Sequence, residues 1–462
     1  MTSKQQTLIV AGASGDLAER LLLPGLASLL ERDRDRDGGR RVRLIGTSRH
    51  AWEEGAWASL LERASENAGL PKGRLHELLE HDEARTADPA KPEQLRELLD
   101  AVEGEPVLYL ALPPGATASI LDALLEVGPP EDLRIVAEKP FGDSLESARS
   151  LNEQILKVAP EERVFRVDHF LGMGPALDVL PLRFGGRALE AIWNAEHIER
   201  VEIVDDESIA LEGRADFYDK TGALADMHQS HLLQLLGLVA MERPERLDAD
   251  GLRDAVIAAL DAVGYPGDDP AAASRRGRYT AGTSNGRDIP SYADEDGVDA
   301  SRGTETLAEL EVEVRTERWK GVPFVLRSGK GIGSPSRHID LLLRAPEPLE
   351  GLAEVRPGRI RINLGDEGGV RIGVALHGAP DPFAPVAAVA AADPAVSPLL
   401  PYGQVLVAAL DGDLRLSVRA DAAERCWAII EPVLEAFHSG GVPLQEYPAG
   451  SDGFDDSLVV TA

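Results

Sequence analysis

Two clusters of aspartate and histidine in the middle of the chain have the residue types needed to move a proton. The first is Asp168–Gly172, with the sequence Asp-His-Phe-Leu-Gly, and the second is Asp226–His231, with Asp-Met-His-Gln-Ser-His. Oxidation of an alcohol by hydride transfer needs a base for the hydroxyl proton, and histidine suits this because its pKa lies near neutrality. A neighbouring carboxylate stabilises the imidazolium that forms. The candidate bases and their carboxylate partners are His169, His228, His231, Asp168 and Asp226.

Each of these histidines also has a simpler interpretation. A lone histidine is more often a hydrogen-bonded core or surface residue than a base, and that alternative stays open for each of the three. His228 and His231 are three residues apart, so on an α-helix they would share roughly one face. Two helical histidines without a clear third ligand make a weak zinc site, so we expect no metal.

A glycine turn near the start of the chain is typical of a nucleotide site. The apolar run Thr7–Ala11 is followed by Gly12–Ala18, with the sequence Gly-Ala-Ser-Gly-Asp-Leu-Ala. Glycines let the backbone approach a pyrophosphate, which then lies at the positive end of the following helix. The pattern is looser than Gly-x-Gly-x-x-Gly, so a tight turn into a helix is the alternative. The candidate cofactor residues of this turn are Gly12, Ser14, Gly15, Asp16 and Leu17.

The end of the next predicted strand indicates which cofactor is bound. An NAD site usually has an acidic residue there, which holds the ribose 2′-hydroxyl. Here the strand Val42–Gly46 is followed by Thr-Ser and then Arg49. A guanidinium can bind a 2′-phosphate through two hydrogen bonds, whereas a carboxylate would repel it. The sequence therefore favours NADP, although a surface arginine would give the same pattern.

Lysine is scarce in this chain, and one lysine stands where ligands bind. The chain has 48 basic residues, of which only eight are lysine. Lys139 follows the predicted strand Ile135–Ala137 and precedes Pro140. This places its ammonium at the carboxyl end of a parallel sheet, where α/β proteins bind their ligands. A structural ion pair is the alternative role.

These residues must be positioned by two different kinds of sheet. Strands predicted at Thr7–Ala11, Val42–Gly46, Val107–Leu112 and Ile135–Ala137 alternate with helical segments such as Asp16–Leu30, which indicates a parallel α/β sheet. After about residue 180 the pattern changes. We therefore expect a Rossmann-like dinucleotide-binding domain over residues 1–178 and a larger α+β domain, with a mainly antiparallel sheet, over residues 179–462.

The evidence for the second domain is an alternation of apolar and polar residues, which predicts strands with one face covered by helices. Met227–Met241 is strongly apolar and predicts a helix, whereas Pro266–Arg302 is polar and predicts an excursion outside the core. The alternating segments are Val201–Val204, Leu307–Arg315, Arg359–Leu364 and Leu414–Val418.

Composition excludes several classes of function. The net charge of −31 argues against nucleic-acid binding, because a polyanion would be repelled. No apolar run approaches the roughly 20 residues of a membrane span. Cys426 is the single cysteine, so no internal disulfide can form. The apolar run at Leu8 follows Met1 too closely for a secretory signal, and we expect a cytoplasmic protein with a small-molecule substrate.

At these motifs the chain resembles the glucose-6-phosphate dehydrogenase family, and the similarity extends over nearly the whole sequence. The resemblance implies oxidation of the C1 hydroxyl of glucose 6-phosphate to 6-phosphogluconolactone with NADP, by homodimers or homotetramers that associate through the large sheet. The matching segments are Gly12–Ala18, Tyr109–Pro114, Glu138–Gly142, Phe217–Pro244, Thr304–Thr306, Trp319–Lys330, Pro401–Tyr402, Asp411–Asp413 and Tyr447–Gly450.

The resemblance also implies a role for individual residues. His231 matches the general base and Asp168 its carboxylate partner. The residues that match ligands of the sugar and its phosphate are His169, Glu207, Asp226, Lys330 and, at the interface with the cofactor, Lys139. Arg49 matches the arginine that meets the 2′-phosphate.

Four positions depart from the family pattern. Phe170 and Met173 stand where the family has a tyrosine and a lysine that contact the phosphate, and Ser230 replaces the asparagine before the base. The arginine that follows the second lysine is displaced by two positions to Arg337, which we count as a further candidate substrate ligand. Charge-assisted hydrogen bonds contribute about 1.5–3 kcal/mol each. The alternatives are a related enzyme for a different or non-phosphorylated hexose, another class of oxidoreductase, and an inactive nucleotide-binding homologue.

Overall fold

The structure is a computed structural model that describes residues 5–34, 39–354, 357–365, 368–376, 383–393 and 397–460. The chain forms two compact units, and both are built from discontinuous segments. The first unit comprises Met1–Met173, Glu245–Arg253 and Val396–Glu424, and the second comprises Gly174–Pro244, Asp254–Ala395 and Arg425–Ala462. Within the described ranges, no helix has both the length and the apolar character that a bilayer crossing requires.

The strands are numbered in chain order. They are β1 (Gln5–Ala11), β2 (Arg41–Ser48), β3 (His81–Thr86), β4 (Glu105–Leu110), β5 (Arg134–Glu138), β6 (Val164–Val167), β7 (Ile198–Asp206), β8 (Val263–Gly264), β9 (Ser274–Thr280), β10 (Gly282–Ser284), β11 (Arg287–Ile289), β12 (Leu307–Val314), β13 (Pro323–Gly329), β14 (Arg337–Leu343), β15 (Arg359–Asn363), β16 (Val370–Leu376), β17 (Val386–Ala392) and β18 (Leu444–Pro448).

The helices are numbered in the same way. The α-helices are α1 (Leu23–Asp33), α2 (Ala56–Asn67), α3 (Arg74–Leu78), α4 (Pro92–Asp100), α5 (Pro114–Val127), α6 (Leu145–Val158), α7 (Gly174–Leu177), α8 (Val179–Phe184), α9 (Arg187–Ile192), α10 (Ala215–Ala223), α11 (Leu233–Ala240), α12 (Ala249–Asp261), α13 (Pro401–Asp411) and α14 (Ala420–His438). Two π-helices occupy Ala18–Leu22 and Leu224–Leu232, and short 3₁₀ turns include His169–Gly172 and Leu414–Leu416.

The first unit is a doubly wound parallel sheet. Its strand order is β3-β2-β1-β4-β5-β6, and all neighbouring strands are parallel. The alternation of a strand places Leu8 and Val10 in the core on one face of β1, and Ile9 and Ala11 in the core on the other. The four strands predicted from apolar runs are confirmed. Strand order reverses between β1 and β4, and ligands bind at such a switch point.

The helix after the glycine turn differs from the predicted one. The sequence predicts a single α-helix from Asp16, whereas the structure begins with the π-helix Ala18–Leu22 and continues as α1. α13, from a distant part of the chain, packs against α1. A Cβ at Gly25 would lie 2.7 Å from the Gly403 nitrogen, so the two backbones are in close contact.

The second unit is dominated by a mixed, mainly antiparallel sheet. The strand order is β17-β16-β15-β14-β7-β13-β12-β9-β18, and β8 pairs with β12. β13 runs parallel to β7 and β18 runs parallel to β9, whereas the other pairs are antiparallel. The strands predicted at Val201–Val204, Leu307–Arg315 and Arg359–Leu364 are confirmed as β7, β12 and β15. The predicted fold class is therefore correct for both units.

Two predictions about elements of the chain are wrong. Leu414–Val418 is not a strand of the large sheet: Asp413 caps a 3₁₀ turn at Leu414–Leu416, and only an isolated bridge joins Ser417 to Val167. Pro266–Arg302 is not outside the core either, because it contributes β9. The Tyr279 side chain of β9 is fully buried in an aromatic cluster.

Candidate active site

The first unit has a cleft of about 350 Å³ at the point where its strand order reverses. The loops after β1, β2, β3 and β4 line the cleft. Gly12, Ser14 and Gly15 come from the first of these loops, and Ser48 and Arg49 from the second. Asp16 and Leu17 begin the helical segment and are not among the residues that line this cleft. Of the predicted cofactor residues, Gly12, Ser14, Gly15 and Arg49 therefore line the same cleft.

The backbone at Gly12 requires glycine. Its φ of +90° lies in the left-handed region, and a Cβ would stand 2.6 Å from the Ala111 oxygen and 2.8 Å from Leu112 Cδ2. The Gly15 amide donates to the Gly12 oxygen at 3.0 Å, which closes the turn. The turn leaves an open approach to the start of a helix, where amides point towards an anion. These residues fit the pyrophosphate of a dinucleotide.

Arg49 and the serines beside it form the polar rim of the cleft. Arg49 follows the last residue of β2 and is exposed. Ser14 and Ser48 are joined through their hydroxyls at 3.2 Å, and the His50 amide donates to Ser48 Oγ at 3.2 Å. These contacts hold the strand end, while the guanidinium extends into solvent at the cleft. A phosphate bound there would meet a cation and two hydroxyls.

Lys139 follows β5 next to Glu138, a partly buried acid. The Glu138 carboxylate accepts a hydrogen bond from the Tyr109 hydroxyl of β4, and a second from Tyr402 of α13. Burial raises the pKa of Glu138 to about 7, and the tyrosine hydrogen bond and Lys139 oppose the shift. An acid with a raised pKa and a lysine are therefore adjacent at the carboxyl end of the sheet.

The Asp168 cluster is fixed by its own backbone. Asp168 is buried at the end of β6, and its Oδ1 accepts the Phe170 amide at 3.0 Å, which caps the 3₁₀ turn His169–Gly172. The His169 ring is stacked on Tyr402 with centroids 6.1 Å apart. Phe170 is buried. Its side chain has no polar group, whereas the family has a tyrosine at this position. Met173 is partly exposed and uncharged.

In the second unit, strand direction brings three predicted substrate residues to one edge of the sheet. Glu207 follows the end of β7 and Lys330 follows the end of β13, which is parallel to β7. Arg337 begins β14, which is antiparallel to β7, and lies opposite Asp205 in the register. Glu207 joins the two cations: its carboxylate lies 2.5 Å from Lys330 Nζ and 2.7 Å from Arg337 Nη2.

The charges at this edge are strongly coupled. Burial would raise the pKa of Glu207, but Lys330 and Arg337 outweigh it and hold the pKa below its ordinary value. Burial raises the pKa of Asp205 to about 6, although Arg337 Nε lies 3.3 Å from its Oδ1 and opposes the shift. The Lys330 ammonium also lies over the Tyr218 ring, 5.2 Å from its centroid. Two cations held in this way can bind a phosphate dianion.

Asp226, His228 and His231 lie on the π-helix Leu224–Leu232, and this changes the predicted geometry. Because the helix has an i→i+5 register, residues three apart do not share a face as they would on an α-helix. His228 is fully buried, with Nε2 3.2 Å from the Leu326 oxygen of β13 and Nδ1 3.5 Å from the Ala223 oxygen. Burial lowers its pKa to about 4. His228 is a core residue and is unsuited to be the base.

His231 and Asp226 are five residues apart, which corresponds to one repeat of the π-helix. Asp226 is partly exposed, whereas His231 is buried. Ser230 stands at the position where the family has asparagine. Its hydroxyl donates to the backbone oxygen of Asp226 at 3.3 Å. The helix therefore carries a carboxylate and an imidazole at the i, i+5 spacing of its backbone hydrogen bonds.

Sequence reasoning missed several residues of these sites. Glu138 directly precedes the predicted ligand Lys139, and Asp205 precedes the predicted ligand Glu207 by two residues. Tyr218 lies in the matching segment Phe217–Pro244, but its residue type does not predict the contact with Lys330. The sequence signal that could have identified Glu138 and Asp205 is an acidic residue close to a predicted ligand at the end of a strand. The contact between Tyr402 and Glu138 has no local signal, because the two residues are far apart in the chain.

Two family models match the chain and together cover most of it. The model described as glucose-6-phosphate dehydrogenase, NAD binding domain, matches residues 9–175. The model described as glucose-6-phosphate dehydrogenase, C-terminal domain, matches residues 180–461. The resemblance inferred from the sequence motifs is therefore confirmed.

Individual proteins give the same result. The glucose-6-phosphate 1-dehydrogenase of Gluconobacter oxydans (strain 621H) is 34% identical over 476 residues, which cover 98% of this chain and 95% of that protein. That of Treponema pallidum (strain Nichols) is 33% identical, with coverage of 96% and 91%. A solved structure titled glucose-6-phosphate dehydrogenase in complex with its substrate glucose-6-phosphate has a TM-score of 0.85 at 25% identity, with coverage of 98% of this chain and 96% of that chain.

Proposed function

This chain belongs to the glucose-6-phosphate dehydrogenase family, and from that membership we propose that it oxidises the C1 hydroxyl of glucose 6-phosphate to 6-phosphogluconolactone. The enzyme transfers a hydride to a nicotinamide dinucleotide. The structural observation that best supports a phosphorylated sugar is the pair of cations, Lys330 and Arg337, held on the Glu207 carboxylate at one edge of the sheet. The reaction commits the sugar to the pentose phosphate pathway.

His231 is the general base in this proposal. It takes the proton of the C1 hydroxyl as the C1–H bond breaks, and the C1–O bond becomes the carbonyl of the lactone. Asp168 stabilises the imidazolium that results, since a carboxylate favours the charged form of the ring. His231 is buried on a helix that packs on β13, so its position is fixed before the sugar arrives. The exclusion of His228 leaves His231 as the base of this helix.

The sugar is bound by residues of both kinds of charge. Lys330, Arg337 and His169 bind the phosphate, and Glu207 and Asp226 accept hydrogen bonds from the sugar hydroxyls. In the free protein, Lys330 and Arg337 form ion pairs with Glu207. When the phosphate binds, it replaces part of this pairing. The missing tyrosine hydroxyl and lysine ammonium at Phe170 and Met173 make the phosphate depend more on Lys330 and Arg337.

The cofactor is NADP in this proposal. The Gly12–Gly15 turn holds the pyrophosphate, and Arg49, Ser14 and Ser48 hold the 2′-phosphate at the rim of the cleft. When bound, the dinucleotide supplies the hydride acceptor. Lys139 lies at the carboxyl end of β5 and contacts both sugar and cofactor. In this proposal residues 1–178 form the dinucleotide-binding domain, and residues 179–462 supply the sugar ligands Glu207, Asp226, Lys330 and Arg337.

The enzyme is a homodimer or homotetramer in this proposal, assembled through the large sheet. β17 is at the end of the strand order, and the outer strands β16 and β17 expose several large apolar side chains. An apolar patch on an edge strand is typical of an interface, because it would otherwise promote non-specific association. A second copy of the same chain is the proposed partner. The exposed side chains are Val374, Leu376, Val386 and Val389. Because the substrate and the dinucleotide are charged metabolites kept inside cells, the enzyme is cytoplasmic.

Deuterium at C1 of the substrate tests this function. With glucose 6-phosphate deuterated at C1, we expect one deuterium to appear in the reduced dinucleotide, together with formation of the lactone or its hydrolysis product. Mass spectrometry of both products gives the result. Deuterium retained in the sugar product, or absence of reduction with either NADP or NAD, would contradict the proposed reaction.

A further inference from the structure

The motif Thr304–Thr306, with the sequence Thr-Glu-Thr, is largely buried and lies outside the set of site residues described above. It lies directly before β12 in the second unit. Glu305 is only 5% exposed and Thr306 is fully buried. A carboxylate is rarely buried unless it has partners, because its desolvation is costly. The partners of Glu305 show what this motif does.

Glu305 caps the start of the helix that carries His231. Its Oε1 accepts the Leu224 amide at 3.0 Å, and its backbone oxygen accepts the Ala223 amide at 3.2 Å. The neighbouring Thr304 hydroxyl donates to the Asp219 oxygen at 2.7 Å, one turn earlier in the chain. The first amides of a helix lack partners within the helix, and a carboxylate also complements the positive end of the dipole. Burial raises the pKa of Glu305 to about 7, and the Leu224 amide opposes the shift.

Gly222 makes room for this carboxylate. Its φ of 68° and ψ of 175° break the helical path between α10 and the π-helix. A Cβ at this position would lie 2.3 Å from Glu305 Oε1. Any side chain at Gly222 would therefore clash with the Glu305 carboxylate that accepts the Leu224 amide.

Thr306 connects the same motif to Lys330. Its backbone oxygen accepts the Lys330 amide at 2.9 Å. Its hydroxyl lies 2.7 Å from the Tyr447 hydroxyl, which itself donates to the Lys330 oxygen at 2.7 Å. Three consecutive residues thus hold the start of the His231 helix on one side and the backbone of the substrate lysine on the other.

The π-helix continues directly into α11, and the carboxyl end of α11 is held separately. The buried Arg183 guanidinium donates to the oxygens of Val239 at 3.1 Å and Met241 at 2.9 Å. The Trp193 and Trp319 indoles donate to the oxygens of Val239 and Ala240. The carboxyl end of the helix is therefore fixed by a cation and two indoles. At the amino end, the corresponding side-chain contact is made by Glu305.

We propose that Glu305 is a positioning residue, which holds the helix that carries His231 at a fixed distance from the backbone of Lys330. The inference rests on the proposed role of His231 as base. Misplacement of a reacting group by about 1 Å can lower a rate about 100-fold. Because Lys330 keeps its own contacts with Thr306 and Tyr447, loss of the Glu305 carboxylate should slow the proton transfer and leave phosphate binding largely intact.

The test compares Glu305→Ala and Glu305→Gln with the parent enzyme, with glucose 6-phosphate and NADP at a fixed pH. We expect Glu305→Ala to lower kcat about 10- to 100-fold, with little change in KM for the sugar phosphate. Glu305→Gln keeps an oxygen that can accept the Leu224 amide, and should recover most of the lost rate. Rates are expressed per dinucleotide site, titrated by fluorescence, so that a loss of folded protein does not imitate the effect.

Glu295→Ala is the matched control, because the Glu295 carboxylate accepts the Tyr279 hydroxyl at 2.9 Å, whereas the Glu305 carboxylate accepts the Leu224 amide of the helix. Equal rates for Glu305→Ala and Glu295→Ala, or equally slow Ala and Gln variants at position 305, would overturn the proposal. If Glu305→Ala does not fold, Gly222→Ala displaces the same carboxylate, and Gly303→Ala has comparable backbone strain in open space. Equal kcat for these two variants would also overturn it.

Failure of the proposed function gives a different result. If the parent enzyme does not turn over glucose 6-phosphate, the proposed reaction is wrong. If His231→Asn turns it over as fast as the parent enzyme does, His231 is not the base. A clear loss in His231→Asn together with an unchanged Glu305→Ala would instead refute only the positioning role of Glu305.

Discussion

Arg337 gives the sharpest prediction, because it stands two positions away from where the family pattern places its arginine. Its guanidinium is 2.7 Å from Glu207 and 3.3 Å from Asp205, and its side chain is 38% exposed, so a phosphate can reach it. If Arg337 binds the phosphate, then Arg337→Met removes at least one charge-assisted hydrogen bond. At about 1.5–3 kcal/mol for each such bond, KM for glucose 6-phosphate should rise about 10- to 100-fold.

The substitution should not unfold the protein. Removal of Arg337 takes away the strongest influence that opposes burial at Asp205, so the pKa of Asp205 rises above its present value of about 6. Near neutral pH the carboxyl group then takes up a proton instead of remaining a buried, unpaired charge. Glu207 keeps Lys330 as its partner. The cost should therefore fall on phosphate binding.

Initial rates with glucose 6-phosphate and with free glucose separate the two effects. We expect KM for the phosphate ester to rise while KM for glucose, which has no phosphate, stays the same. Arg337→Lys keeps the charge but loses the planar fork, and should give an intermediate value. Arg344→Met is a matched control just beyond the other end of β14, where Arg344 is exposed and donates to the Ala195 oxygen. An unchanged KM for the ester, or equal losses for both sugars, would refute this role of Arg337.

Three further predictions concern the base, the cofactor site and a buried histidine. His231→Asn should lower kcat by about 100-fold or more, within the range for loss of a general base, and leave dinucleotide binding unchanged; a near-normal rate would exclude His231 as base. Arg49→Ala should raise KM for NADP far more than KM for NAD, whereas equal losses would argue against a 2′-phosphate contact. Burial and Arg361 lower the pKa of His338 to about 4 against the opposing effect of Asp340, so its contribution to stability is complete above pH 6.5 and is lost as the pH falls towards 4. Urea unfolding of the parent minus His338→Gln should therefore show a difference that falls by about 2 kcal/mol between pH 8 and pH 5; a pH-independent difference would contradict the low pKa.

The first unit could be predicted closely because its signals are local. The apolar run Thr7–Ala11 is too short for a helix and ends at a glycine, which identifies β1 and the turn. The same reasoning located Arg49 at the end of β2 and Lys139 at the end of β5. α13 could not be predicted to pack there, because Tyr402 and Gly403 meet their partners through contacts between distant parts of the chain.

The second unit shows why period-based prediction fails in places. Leu414–Val418 alternates like a strand, but the Asp413 side chain caps a 3₁₀ turn there. β9 seemed too polar for the core, yet Arg276 is satisfied by the distant Val442 oxygen at 2.9 Å. The π-helix was assumed to be an α-helix, since sequence spacing cannot show that a bulge changes the register.

The site was easier to predict by residue type than by contact. The family resemblance predicts Glu207, Lys330 and Arg337 as substrate ligands, and strand direction explains why they meet at one edge. Their mutual ion pairs, and the buried Asp205 beneath Arg337, depend on the register of β14 against β7. A single sequence does not reveal that register.

Absorbance at 340 nm tests the central claim most directly. Initial rates are measured with NADP while glucose 6-phosphate and free glucose are titrated side by side. We predict a low KM for the phosphate ester and weak use of glucose, which would show that Lys330, Arg337 and His169 suffice despite Phe170 and Met173. Comparable or better use of glucose, or no turnover of either sugar, would contradict the account and point to a different substrate.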